Sequence, residues 1–348
     1  NLRRRVPYLQ YCAVRATIAV MLIEEQVPLG PLTTFRIGGP ARYFARVRTV
    51  EELQQSLDYA RDQNLATLIL GGGSNVLISD AGFDGLVIKI EIAGKAGDGD
   101  TLIAGAGENW DALVERAVAD GLWGIENLSG IPGTVGAAPV QNIGAYGSEV
   151  KNTLAWVDAF DTHSGTMTRL SNAECAFGYR TSRFKKEPGR FVIVRAAFAL
   201  SKNGAPNASY KDLADCAMLK IAQVRERVLS IRSRKFPDLK KEGTAGSFFL
   251  NPVVSGQKAA ELLAEYPDLP QFKAENGVKV SLAWLLDHAL EVKGLSVGGA
   301  RLFERQPLVI SASRTARSRD VIELAQKVAD LVQDKLKIKI EPEVKIIN

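Results

Sequence analysis

The chain predicts an α/β protein built from more than one packed unit, and three observations carry that expectation. Segments of helical periodicity alternate with short, apolar, strand-like runs along most of its length. Two uncharged, glycine-rich segments, Leu65–Ser79 and Asn127–Ser148, interrupt the alternation. At about 150 residues per domain, 348 residues exceed what one simple core organises.

In chain order, the first twenty residues stand apart. Arg3, Arg4 and Arg5 precede a weakly apolar run, Tyr11–Ile23, in the manner of a poor signal peptide, but Arg15 interrupts the run and no small-residue cleavage site follows. Residues 1–20 are read as an extension outside the fold, ahead of a start-like Met21. Thr49-Val50-Glu51-Glu52 then opens a helix with Val50, Leu53 and Leu57 on one face, and a strand, Ala66–Leu70, follows. A second helix is expected over Trp110–Ala119, capped by Asn109, burying Leu113, Val114, Ala117 and Val118, and ended by Gly121. Strands at Leu154–Phe160 and Phe191–Leu200 frame a polar turn, Asp161–Gly165, that places His163 in solvent.

Loop-like composition at Ser201–Pro206 marks a domain boundary. This divides the chain into residues 21–204, in two lobes of about 21–94 and 95–204, and residues 205–348. Beyond it, helices are expected at Leu219–Ser233, Gly256–Tyr266, Leu282–Leu290 and Asp320–Lys335, the last with Val321, Leu324, Val328, Leu331 and Val332 turned inward. A strand of alternating apolar and charged residues, from Ile338–Ile340 to Val344–Ile346, closes the chain.

Composition removes several classes. With 46% hydrophobic and 24% charged residues the chain is neither disordered nor collagen-like. Both long uncharged stretches are broken by glycines and fall short of a bilayer span, which needs about 20 predominantly apolar residues, so no membrane association is expected. Three widely spaced cysteines, Cys12, Cys175 and Cys216, suit neither a disulfide framework nor a metal site and point to the reducing cytoplasm. Two distant histidines, His163 and His288, leave little material for a zinc site or a Ser-His-Asp triad, and no metal is expected. The net charge of +5 suits a nucleic acid or an anionic small molecule equally.

The strongest local signal is Leu68–Ile78, a glycine loop between two apolar strands. Gly71, Gly72 and Gly73 let backbone approach a ligand closely and free consecutive N–H groups for anionic oxygens, with Ser74 and Asn75 as further donors. A diphosphate would fit, and so would a plain glycine-rich turn. The loop lacks both the G-x-G-x-x-G pattern with a following helix and the Gly-Lys-Ser/Thr of a phosphate-binding P-loop. The second signal, Gly130–Gly147, holds five glycines spaced among Ile131, Val135, Val140, Ile143 and Tyr146, and suits a backbone wrapped around a large, mostly apolar ligand such as a flavin ring.

With these motifs in hand, the chain resembles the UDP-N-acetylenolpyruvoylglucosamine reductase (UDP-N-acetylmuramate dehydrogenase) family from about Pro31 to Ile346. The resemblance rests on five motifs in order: Leu70–Asn75, Ile131–Gly133 with Gln141–Gly147, Phe177–Arg180, Ala245–Phe249 with Asn251-Pro252, and Glu341–Val344. It implies a two-lobed FAD-binding module of the vanillyl-alcohol-oxidase type, followed by a C-terminal α/β substrate-binding domain whose last strand returns Glu343 to the active site. It implies FAD contacts from Thr34, Phe35, Gly71, Gly72, Gly73, Ser74, Asn75, Ile131, Gly133, Gly136, Ala137, Ile143 and Gly144.

The implied reaction reduces the enolpyruvyl ether of UDP-N-acetylglucosamine to the lactyl ether of UDP-N-acetylmuramate with NADPH, a step of peptidoglycan precursor synthesis. Its catalytic residues fall on Arg180, Ser247 and Glu343. Arg180 suits an enolate because its fork matches a carboxylate and stays protonated. Ser247 would protonate carbon, and Glu343 would orient the enolate side. Tyr179, Tyr210, Lys235, Asn251, Lys293 and Gln306 carry over as UDP-sugar contacts. Tyr210 implies the longer subclass with an extra substrate-clamping loop, whereas Phe272 stands where that subclass tends to have tyrosine.

Neither glycine-rich motif contains His or Cys, so the FAD is expected to be noncovalent. No second dinucleotide fingerprint is present, so NADPH and substrate would use one flavin face in turn. Arg232, Arg234, Lys235, Lys240 and Lys241 form a basic run, but a nucleic-acid partner would leave the glycine-rich loops idle, which argues against one. A monomer with a small-molecule UDP-sugar as its partner is the expectation.

Overall fold

A computed structural model describes residues 5–7 and 22–348 of the chain. Most of the expected extension 1–20, with Cys12, lies outside the described residues; within it, the strand Arg5–Pro7 pairs antiparallel with Leu22–Pro28.

Two compact units divide the chain: one takes the stretch before Pro28, Ala41–Gly73 and Phe83–Arg232, the other Pro28–Pro40, Ser74–Gly82 and Ser233–Asn348. Residues 205–232 therefore pack in the first unit, beyond the loop at Ser201–Pro206.

The first unit holds two five-stranded sheets. In one, Phe83–Ile90 lies between Pro40–Val47 and Ala66–Leu70 and is parallel to both. The helix Val50–Asp62 makes the crossover between those two flanking strands, as parallel pairing requires. Thr49 caps it by accepting from the Glu52 N–H at 3.1 Å, and Leu53 is buried while Val50 and Leu57 are half-buried. The other sheet is antiparallel throughout, in the order 166–171, 154–161, 191–199, 101–105, 95–98.

Here one expectation is corrected. The turn Asp161–Gly165 joins Leu154–Asp161 to a strand missed in the sequence, Thr166–Ser171, and Phe191–Ala199 pairs on the other edge of 154–161. Thr166–Ser171 buries only Leu170, so it shows no apolar alternation. His163 is exposed in that turn, as expected.

The helix Trp110–Ala119 begins and ends where its sequence says, with Asn109 accepting from the Ala112 N–H at 2.9 Å. Trp110 is fully buried, donates from Nε1 to the Leu128 carbonyl at 3.0 Å, and meets Phe198 edge-on at 5.5 Å.

The second unit is built around the helix Ser318–Leu336, which buries Val321, Leu324, Ala325, Val328, Val332 and Leu336. Leu331, expected inside, is half-buried at the edge of that core. The strand Gln306–Ala312 is buried along six of its seven residues and pairs with Ala300–Phe303. The expected helix Leu282–Leu290 is one α-turn, Leu282–Trp284, followed by a wider π-turn, Leu285–Ala289.

The closing strand is shorter than expected: only Lys345–Ile347 is extended, pairing parallel with Val76–Ile78, while Ile338 and Ile340 bury themselves without a ladder. Pro342, which lacks an N–H, stands between the two stretches. Among the described residues no helix is long and apolar enough to cross a membrane.

Candidate active site

In the first unit the two glycine-rich motifs lie against each other. The loop Gly71–Gly73 leaves the end of Ala66–Leu70, where Leu70 is in register with Lys89 of the neighbouring strand. From that register position the Lys89 ammonium reaches the Gly71 carbonyl and donates to it. Burial holds the Lys89 pKa below the ordinary lysine range, against the opposing pull of Glu91.

A methyl group at Gly72 would stand 2.6 Å from the Cα of Gly133, and one at Gly71 2.8 Å from the Thr134 hydroxyl and 3.2 Å from the Ala137 methyl. A side chain at Gly72 would meet backbone of the second motif, and one at Gly71 would meet its Thr134 and Ala137 side chains, so glycine at both positions lets the two motifs approach each other closely.

The second motif is pinned at its start. The Gly130 N–H donates to Asp111 Oδ1 at 2.6 Å, and the Gly130 carbonyl accepts from Arg232 Nε at 3.1 Å. Arg225 completes the grip, donating to both Asp111 oxygens at 2.6 and 3.0 Å. Burial alone would raise the Asp111 pKa, but the Arg225 and Gly130 donors bring it below the usual carboxylate range. Further on, the Val135 and Gly136 N–H groups donate to the Glu108 and Ala106 carbonyls at 2.9 Å each. Ile131 and Ile143 are half-buried, and a short helix, Ala137–Gln141, leads to Asn142.

Two buried hydroxyls bear on how these residues suit a flavin dinucleotide. The Thr134 hydroxyl is buried between the two motifs and makes no hydrogen bond within the protein, and the Thr34 hydroxyl in the second unit is in the same condition. A buried hydroxyl without a partner costs about 1–3 kcal/mol, which a polar ligand atom would offset. The donor set therefore fits. Phe35, also assigned to the cofactor, has its ring in the second unit's core, edge-on to Phe248 at 6.4 Å.

Arg180 occupies a tight turn of the first unit. Gly178 and Thr181 exchange backbone hydrogen bonds of 3.0 and 3.3 Å, leaving Tyr179 and Arg180 at the corner. Arg180 has φ of +51°, a left-handed conformation uncommon for a bulky residue and found at functional sites. Its Nη2 donates to the Gly144 carbonyl at 2.8 Å, which joins one proposed catalytic residue to one proposed cofactor contact. Tyr179 is exposed, and so is Tyr210, which packs edge-on against Tyr146 at 5.5 Å.

Ser247 and Glu343 belong to the second unit, where backbone pairing brings their segments together. Ser247 bridges Val309 of the strand Gln306–Ala312, and Phe249 bridges Pro342. The Glu343 N–H donates to the Phe248 carbonyl at 2.8 Å, and the Leu250 N–H to the Glu341 carbonyl at 3.0 Å. Phe248 and Phe249 are buried, which anchors this segment in the core and leaves the flanking Ser247 half-exposed. Asn75 holds the other side: its Nδ2 donates to the Glu343 carbonyl at 3.1 Å and its own carbonyl accepts from the Lys345 N–H at 3.0 Å. Asn75, assigned to the cofactor, thus also fixes the segment that carries Glu343.

The remaining substrate assignments are scattered through the second unit. Lys293 pairs with Asp287 at 2.5 Å, and Asn251 Oδ1 caps the turn at Leu282, accepting from its N–H at 2.9 Å. Lys235 ends the helix Ile221–Lys235 and Gln306 begins the strand 306–312. Phe272 is exposed, with the Lys279 ammonium 5.5 Å from its ring centre.

Sequence reasoning missed Thr134, Lys89 and Asn142: Lys89 reaches Gly71 across 18 residues, Asn142 reaches Gly178 across 36, and Thr134 lies against Gly71 from still farther along the chain. Cys175 and Cys216 are buried, and burial pushes the Cys175 thiol up to about 12 and raises Cys216 as well, so neither is a ready nucleophile. Among the described residues there is no cluster of His, Cys, Asp and Glu fit to hold a metal ion.

Comparison with known proteins agrees with this geometry. Residues 41–171 match the family described as FAD binding domain, and residues 238–347 match that described as UDP-N-acetylenolpyruvoylglucosamine reductase, C-terminal domain. The chain is 40% identical over 342 residues to the UDP-N-acetylenolpyruvoylglucosamine reductase of Ralstonia nicotianae, covering 94% of this chain and 99% of that protein. The corresponding figures are 42% over 339 residues for the enzyme so named from Neisseria gonorrhoeae (92% and 96% covered) and 40% over 328 for that from Escherichia coli (92% and 95%). Among solved structures, the UDP-N-acetylenolpyruvylglucosamine reductase of Thermus caldophilus superposes with a TM-score of 0.68 at 28% identity, covering 94% of this chain and 100% of that one. The chain is thus an α/β oxidoreductase with an FAD-binding domain, and it belongs to the UDP-N-acetylenolpyruvoylglucosamine reductase family.

Proposed function

We propose that this protein reduces the enolpyruvyl ether of UDP-N-acetylglucosamine to UDP-N-acetylmuramate, using NADPH and noncovalent FAD, in peptidoglycan precursor synthesis. Cofactor binding is assigned within residues 21–204 and substrate binding within 205–348; the matches at 41–171 and 238–347 fall inside these ranges. FAD, when bound, carries hydride from the nicotinamide to the substrate. Gly71, Gly72, Gly73, Ser74 and Asn75, with Thr34, Phe35, Ile131, Gly133, Gly136, Ala137, Ile143 and Gly144, would hold it.

The three assigned residues divide the proton and charge work. Arg180 neutralises the enolate that forms when hydride reaches the terminal carbon of the double bond, because its guanidinium stays protonated and matches a carboxylate. Ser247 gives its hydroxyl proton to the carbon bearing that charge. Glu343 orients the enolate side. Tyr179, Tyr210, Lys235, Asn251, Lys293 and Gln306 bind the UDP-sugar. Arginine and lysine positions supply what a diphosphate and a carboxylate require. The buried thiols of Cys175 and Cys216 suit a reducing cytoplasm, where the protein would act as a monomer on a small molecule.

The observation that carries the reading is the 2.8 Å hydrogen bond from the Glu343 N–H to the Phe248 carbonyl. Ser247, the proposed donor, adjoins Phe248, whose carbonyl accepts that bond from the Glu343 segment, and this supports the pairing of the two residues in one site.

Stopped-flow traces of the two half-reactions test it. Ser247→Ala should take up hydride from NADPH at close to the native rate, because that half needs no proton for the sugar. Transfer to the enolpyruvyl substrate should slow about 10²–10⁴-fold, the contribution typical of a positioned general acid. Ser247→Cys retains a transferable proton and should recover part of the loss. Slowed flavin reduction with normal reoxidation would remove Ser247 from the reaction.

A further inference from the structure

We propose that Asn142 and Ser182 are positioning residues that hold the Tyr179–Arg180 turn, and with it the Arg180 guanidinium, against the segment Val140–Gly144. The inference rests on the reading that Arg180 acts on the enolate. Its own ground is a set of three tethers between two short segments that are far apart in sequence.

Asn142 Nδ2 donates to the Gly178 carbonyl at 3.0 Å, at the entry of the turn. At its exit, Ser182 Oγ donates to the Val140 carbonyl at 2.6 Å. Between them, Arg180 Nη2 donates to the Gly144 carbonyl at 2.8 Å. Asn142 and Ser182 are both 0% exposed, so the donor of each bond is shielded from water.

The Asn142 side chain is saturated in one orientation. Its Nδ2 also donates to Glu149 Oε2 at 2.9 Å, and its Oδ1 accepts from the Lys151 N–H at 3.0 Å. A flipped amide would set its oxygen against a carboxylate and a carbonyl, neither of which can donate, so the hydrogen-bond partners fix the assignment. The residue itself stands at φ of +47°, a conformation asparagine tolerates better than other non-glycine residues.

Arg180 at φ of +51° is in a sparsely populated region, and such a conformation persists only where the surroundings over-determine it. The two buried tethers supply that constraint. Released from them, the turn is free to relax to an ordinary conformation, and the guanidinium moves with it. A displacement of about 1 Å in a reacting group costs on the order of 10²-fold in rate. The loss would fall on the step in which the guanidinium meets developing charge.

Asn142→Asp keeps size and the acceptor for Lys151 but removes both donors, while Ser182→Ala removes a single bond. Each holoenzyme is compared with the native protein in stopped flow, with FAD content and thermal unfolding measured alongside. The expected result is flavin reduction by NADPH at the native rate and reoxidation by saturating enolpyruvyl substrate slowed tenfold or more, with KM changed by less than about threefold.

Should Asn142→Asp fail to fold, Ser182→Ala decides alone. Native reoxidation in Ser182→Ala, or equal slowing of both half-reactions, overturns the inference by reducing these bonds to general stability. Arg180→Lys is run in parallel: normal reoxidation there would sink the assignment of Arg180 itself. Slowing in Arg180→Lys with native rates in the other two variants would sink only the positioning role.

Discussion

At the scale of single residues, this protein uses backbone geometry to place chemistry. Gly72 is the plainest case: the space a side chain would need is taken by the Cα of Gly133, so the two glycine-rich motifs touch where neither has a side chain. Gly72→Ala must push backbone apart, and overpacking of this kind costs about 1–3 kcal/mol. The expected outcome is a folded variant of lower thermal stability with weakened FAD retention, read from the flavin absorbance after gel filtration. Native FAD content would show that the motifs can separate without consequence. Arg180 and Asn142 show the complementary device, in which a non-glycine residue is held at positive φ by hydrogen bonds from elsewhere. Nothing in Phe177-Gly178-Tyr179-Arg180 announces that conformation; it follows from partners dozens of residues away.

At the scale of elements, the helix Trp110–Ala119 does two tasks. Its apolar face fills the core through Trp110, Leu113, Val114 and Ala117, and Asp111 in its first turn grips Gly130 and Arg225. Removing one partner of a buried pair costs roughly 3–5 kcal/mol. The Asp111 side chain is 33% exposed, so Asp111→Asn should cost less, about 1–3 kcal/mol by denaturant titration. The pH dependence has a definite sign. The folded-state pKa of Asp111 lies below its unfolded value, so the unfolded chain takes up the proton first. The stabilisation is complete above about pH 4, the ordinary aspartate range, and is lost as pH falls through the lower folded-state value. Asp111→Asn should therefore flatten the acid limb of the stability profile. An unchanged limb would show that the Arg225 pair contributes nothing to it.

At the scale of the whole molecule, the chain leaves and re-enters each compact unit. Pro28–Pro40 and Ser74–Gly82 belong with residues 233–348, and the glycine loop is divided between Gly73 and Ser74. Both units carry a buried hydroxyl, Thr134 and Thr34, that has no partner within the protein. A ligand that satisfies such a hydroxyl in the native state stabilises that state by mass action, about 2.7 kcal/mol at a free concentration of 100 times Kd. Adding FAD to the apoprotein should raise the unfolding temperature in a concentration-dependent way, and riboflavin, which lacks the diphosphate, should do so far less. Equal shifts from the two flavins would remove the diphosphate role assigned to the Gly71–Gly73 loop.

Much of this protein is determined locally and so was legible from its sequence. Thr49 and Asn109 cap their helices because the acceptor and the N–H groups it serves lie within one turn of chain. The strand Ala66–Leu70, the glycine loop after it and the helix Ser318–Leu336 are likewise set by patterns a few residues long. The family was readable too, since motif order survives in a linear sequence. Only the tertiary structure decided the rest. Thr166–Ser171 is a strand because Leu154–Asp161 offers it a ladder, not because of its own side chains. Residues 205–232 pack with the first unit, because Leu213, Val224, Val228 and Ile231 bury themselves in one cluster with Tyr146 despite a loop-like composition at Ser201–Pro206. The docking of Glu343 beside Phe248, the left-handed Arg180 and the reach of Asn142 to Gly178 all depend on hydrogen bonds between distant segments. Such bonds leave no periodic trace in a sequence, because each partner is chosen by where the packed core brings its backbone and not by the residues beside it.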